Sequence, residues 1–140
     1  HCISSAASDV YKRQEQIQRQ AAREHPLEAC GLIVAPCTER LPERVIPMRN
    51  HAASEIWFSF DPREQLQVWN ELDENDEECR VLYHSHTASE AWPSREDIAH
   101  AQDPSLHYLI LSTWPEARHR ARSFRIVAGR VFEEQLSIQE

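Results

Sequence analysis

Four short runs of apolar residues dominate this chain: "EACGLIVA" at 28–35, "CRVLYHSH" at 79–86, "HYLILST" at 107–113 and "RSFRIV" at 122–127. Each has the length of a strand and too few residues for a helix of ordinary size, and β-branched and aromatic residues recur in them. Between them lie two segments of strong helix formers, "QEQIQRQAAREH" and "DPREQLQVWNELDEND". The second opens with Asp61 as N-cap and Pro62 in the first helical position, and it places Leu66, Trp69 and Leu72 on the expected buried face. "RVIPMRN" and "EIWFSF" read as two more strands, with Pro47 favouring a sheet edge, and "SREDIAHAQ" as a short helix. A turn is expected at Gly129. This alternation predicts an α/β (α+β) domain with a mixed β-sheet.

At 140 residues the chain suits one domain with its own core. The opening "CISSAASDVYKRQ" lacks helical or strand periodicity and has the look of translated adapter sequence, so residues 1–13 are expected to be non-native and outside the fold, leaving 14–140 as the domain. The formal charge of -8 argues against a nucleic-acid partner. No run approaches the roughly 18 apolar residues of a membrane span, and a cytoplasmic protein is expected. Cys2, Cys30, Cys37 and Cys79 form no C-x-x-C pair and read as reduced thiols. With glycine only at 31 and 129, no glycine-rich phosphate cradle can be built.

His84 and His86 end an apolar run, and alternation along a strand points both the same way, about 7 Å apart at the backbone. That geometry suits two imidazoles converging on one ion, although a lone H-x-H is more often two polar residues at a strand end. Ser94 and Asp97 directly before "IAHA" spell an N-cap serine with an acidic third helical residue. The cap and a metal role are compatible, because a capped helix start holds Asp97 on a rigid element where it can complete a two-histidine, one-carboxylate set.

His84-Ser85-His86, seven residues, Ser94, two residues and Asp97 reproduce the H-x-H-x7-S-x2-D signature of the JAMM (MPN+, Mov34) zinc metallopeptidases, and Glu28 stands where that family carries an upstream glutamate. Further segments, "HPLEACG", "FDPREQLQVW" and "RSFRIV" among them, resemble a small bacterial branch of the family across about residues 20–132. The N-terminus departs from that branch, which usually begins with a strand and a longer first helix. The resemblance implies the JAMM/MPN fold, a curved mixed β-sheet flanked by helices, with one Zn2+ held by His84, His86 and Asp97, and catalysis by Glu28 as proton carrier and Ser94 as donor to the developing oxyanion. It also implies a ubiquitin-like sulfur-carrier protein as substrate, with cysteine released from its C-terminal diglycine for biosynthesis.

Two other readings compete. One is a non-catalytic MPN-type binding module. The other is a cupin-like metal enzyme, since His84, His86 and Glu90 spell H-x-H-x3-E, although Glu78 stands where a cupin has glycine. The remaining histidines, at 25, 51, 100, 107 and 119, are expected in surface or packing roles. Trp57, Trp69 and Trp114 are expected in the core, and Trp92 is either a lid for its loop or a substrate contact.

Overall fold

The computed structural model describes residues 5–39 and 43–136. Among the described residues, three helices, α1 (Ser5–Glu24), α2 (Pro62–Glu74) and α3 (Arg95–His100), accompany six strands. These are β1 (Cys30–Pro36), β2 (Arg44–Met48), β3 (Glu77–His86), β4 (His107–Ser112), β5 (Ala121–Val127) and β6 (Arg130–Glu134). They form one open sheet in the order β2-β1-β3-β4-β5-β6. All neighbours are antiparallel except β3 and β4, which run parallel. A parallel pair needs a crossover, and here that crossover contains α3. The expected mixed sheet with flanking helices is therefore present, Pro47 lies in an edge strand, and the open sheet excludes the cupin barrel.

Alternation assigns each strand residue a face. Tyr83 lies opposite Gly31 and Leu109 and packs with Ile17, Ile33 and Leu111 on the side covered by α1. Gln20 of α1 ties the layers together, donating to the Cys30 carbonyl at 3.0 Å and accepting from the Tyr83 hydroxyl. The Tyr83 ring crosses directly over Gly31, where a Cβ would overlap the phenol. Gly31→Ala is therefore expected to lower stability by about 1–3 kcal/mol, read as a shift of the urea midpoint at constant slope. The opposite face carries two clusters. Cys30, Leu32, Val34 and Met48 lie under Val68 and Leu72 of α2. Ala91, Tyr108, Ile110, Phe124 and Ile126 lie beside α3.

Residues 5–13 are helical and form the first turns of α1. At their end, Arg13 is buried and pairs with Glu43 at 2.6 Å. Residues 1–4 lie outside the described residues. Three expectations about other segments need correction. "EIWFSF" is a loop with a single bridge, Asn50 to Phe60, because the Asn50 side chain binds backbone groups that a ladder would need. On α2 the buried residues are Val68 and Leu72, whereas Leu66 is 63% and Trp69 40% exposed. Finally, Trp57 and Trp114 are only partly buried, so none of the three tryptophans assigned to the core is a core residue.

Candidate metal centre

The C-terminal end of β3 delivers His84 and His86 to the face opposite α1, and the capped start of α3 delivers Asp97 to the same point. Their ligand atoms lie within 4.8 Å of one another. His84 Nε2 and His86 Nε2 are 3.1 Å apart, and each is 3.1 Å from Asp97 Oδ2. Tetrahedral zinc with ligands at about 2.0–2.1 Å needs donor atoms about 3.3 Å apart, so the triangle has the right size.

The protonation pattern points the same way. His86 Nδ1 lies 3.0 Å from the Glu90 carbonyl, an acceptor, so this nitrogen carries the proton. In neutral His86 the Nε2 lone pair then faces the Asp97 oxygen and His84 Nε2, so a cation placed among the three atoms is attracted by all of them. Burial pulls the His86 pKa down, but bonds to Asp97 and Glu90 and the charges of Asp97 and Glu28 outweigh it, for a net rise. Burial dominates at His84 and lowers its pKa. Burial would raise Asp97, yet its contacts with His84 and His86 hold it far below the carboxylate range. No hydrogen bond fixes His84 Nδ1 among the described residues. Its ring instead stacks on Phe58, at 4.6 Å between centroids and 25° between planes.

Ser94 and Asp97 form a full capping box. Ser94 Oγ accepts from the Asp97 backbone N–H at 3.1 Å, and Asp97 Oδ2 accepts from the Ser94 N–H at 2.9 Å. Ser94 Oγ takes the acceptor part in the cap, which leaves its own proton to donate elsewhere. Glu28 lies two residues before β1, buried at 4% exposure, and is not among the three converging side chains. Burial raises its pKa to about 7, partly offset by His86 and assisted by Asp97, whose charges both reach it.

Glu90 stands outside the cluster. Its carboxylate accepts from the Arg118 N–H while its carbonyl orients His86. Trp92 packs edge-on against Phe124 at 5.0 Å and under Arg122 at 5.5 Å, leaving 45% of its surface exposed. His100, expected in a surface or packing role, is exposed and packs against Trp57 at 4.8 Å. Sequence reasoning missed Phe58, which supports His84, and Asn50, which organises the loop carrying Phe58. The aromatic cluster at 57–60 is the visible trace of the first, and the second has no local signature.

With this fold and this donor set in place, the class follows: the chain belongs to the family of prokaryotic homologs of the JAB domain, which its residues 12–127 match. It is 47% identical over 120 residues to the CysO-cysteine peptidase of Mycobacterium tuberculosis, covering 86% of this chain and 82% of that protein. It is also 30% identical to the desampylase of Haloferax volcanii, with 74% of each chain covered. The solution structure of a Desulfitobacterium hafniense protein matches with a TM-score of 0.75 and 39% identity, over 92% of this chain and 90% of that one. A JAB1/MPN domain protein from Archaeoglobus fulgidus shares the fold, with a TM-score of 0.59 at 16% identity over 91% and 94% of the two chains.

Proposed function

We propose that this protein is a zinc-dependent metallopeptidase that cuts between the C-terminal diglycine of a ubiquitin-like sulfur-carrier protein and an attached cysteine. The observation that carries the reading is the convergence of His84, His86 and Asp97 on one point, beside a buried glutamate whose pKa stands near 7. Zinc in such a set lowers the pKa of a water toward about 7 and polarises a carbonyl.

The chain's own residues supply the rest. A carboxylate that does not bind the metal can take a proton from water and hand one to a leaving amine, and Glu28, buried and within electrostatic reach of His86 and Asp97, is assigned that role. Ser94 donates its hydroxyl proton to the oxygen that becomes negative as the carbonyl is attacked. Glu90 holds the tautomer of His86 that presents Nε2, and Phe58 holds the His84 ring. The likeness to a CysO-cysteine peptidase supports the choice of carrier and leaving group. A cytoplasmic setting fits Cys30, Cys37 and Cys79, all of which are free, and among the described residues no helix is long and apolar enough to cross a membrane.

Mass spectrometry provides the test. A sulfur carrier extended by one C-terminal cysteine, incubated with zinc-loaded protein, should lose that single residue. An intact carrier alongside cleavage of an isopeptide-linked ubiquitin dimer would overturn the substrate assignment. No cleavage of either would favour the binding-module reading.

A further inference from the structure

Glu28 precedes the first ladder residue of β1, so its place depends on other contacts. Its backbone N–H donates to the Ser54 carbonyl at 2.9 Å, and its carbonyl accepts from Asn50 Nδ2 at 2.9 Å. Both main-chain groups of Glu28 are thus held by the segment that follows β2.

Asn50 is itself buried, at 8% exposure. A primary amide offers two donors and an oxygen with two lone pairs, and here all four are used. Besides the Glu28 carbonyl, Nδ2 donates to the Trp57 carbonyl at 3.0 Å, while Oδ1 accepts from the Ala52 N–H at 3.0 Å and the Ser59 N–H at 3.2 Å. Carbonyls on one side, with that of Ser54 also 3.5 Å from Nδ2, and two N–H groups on the other leave the amide one orientation. The loop it closes carries Phe58 onto His84 and Trp57 onto His100 of α3, and the Glu55 carbonyl accepts from Thr87, just past His86. One side chain therefore joins the backbone of the buried glutamate to the loop that braces the metal-ligand side.

We infer that Asn50 is a positioning residue for the proposed reaction, acting through Glu28; the inference rests on the peptidase reading given above. Alanine removes all of these bonds. Aspartate keeps the two acceptor bonds but turns a carboxylate oxygen toward the carbonyls of Glu28 and Trp57, which repel it. No other side chain of similar size offers two donors and two acceptors in this geometry.

The expected result is a fall of about 10- to 100-fold in kcat for Asn50→Ala and Asn50→Asp. KM for the cysteine-extended carrier should stay within about threefold, with assays run well below each variant's Tm. Residues acting as one unit are strongly non-additive, so Asn50→Ala should cost little or nothing further in a Glu28→Gln background, measured in single turnover with excess enzyme. A wild-type kcat in Asn50→Ala, or the same fractional loss with Glu28 already replaced, would overturn the inference. A measurement on the unaltered protein covers the case in which the variants do not fold. The amides of Glu28, Ala52 and Ser59 should show a common hydrogen-exchange protection, as parts of one opening unit, and unprotected Ala52 and Ser59 amides would count against Asn50 as their link. If the unaltered enzyme leaves the carrier intact, the peptidase reading fails, and the exchange comparison, which needs no turnover, still decides whether Asn50 holds Glu28.

Discussion

Glu28→Gln should reduce kcat by about 10²- to 10⁴-fold while leaving zinc stoichiometry unchanged. The amide keeps the shape and the backbone contacts of the side chain but cannot accept a proton from water. Because Glu28 is not among the converging ligand atoms, loss of metal from this variant would make it a ligand and require a different mechanism. The same substitution carries an opposite expectation for stability. In metal-free protein the Glu28 pKa is raised by burial from 4.5 to about 7. Between those values the unfolded chain has lost a proton that the native state retains, so rising pH favours unfolding, and the penalty is complete above pH 7. Glutamine removes it, and chelated Glu28→Gln should be more stable than the parent at pH 8 by up to about 3 kcal/mol, measured by urea denaturation. Both results together, a gain in stability and a large loss of turnover, would give Glu28 a functional reason to sit where it does.

Asp97→Asn should weaken zinc binding by at least about 100-fold, since even partners outside the ligand set change affinity by about 10- to 100-fold. The amide oxygen can still accept from the Ser94 N–H, so the cap on α3 survives and the loss belongs to the metal site. Activity should fall with occupancy and recover in part at high zinc. An Asp97→Asn variant that binds zinc as tightly as the parent would remove Asp97 from the ligand set.

The parts of this site that were legible in the sequence are those in which short-range geometry decides. A two-residue spacing in a strand puts His84 and His86 on one face whatever surrounds them, and S-x-x-D before a short helix is a cap whose acceptor atoms are set by backbone geometry. Asp61 and Pro62 mark the start of α2 for the same reason. The failures are long-range. Residues 55–60, with Ile56, Trp57, Phe58 and Phe60, have strand composition, but the backbone of this segment answers to the side chains of Asn50 at Trp57, of Ser54 at Ile56 and of Thr87 at Glu55. On α2, a spacing of three drifts about 60° per step around the helix, so Leu66 and Leu72 do not share a face, while Val68 and Leu72, four apart, do. The early start of α1 was not legible because "SAASDVYKR" has no regular three- or four-residue apolar spacing, whereas the later part of the helix packs through Ile17 and Ala21.

The metal content of the purified protein bears most directly on the central claim. Inductively coupled plasma mass spectrometry of protein expressed without added metal should find close to one zinc per chain, falling to background in His84→Ala. A parent protein that carries no zinc and acquires none from micromolar zinc in solution, with its fold intact, would contradict the metallopeptidase account.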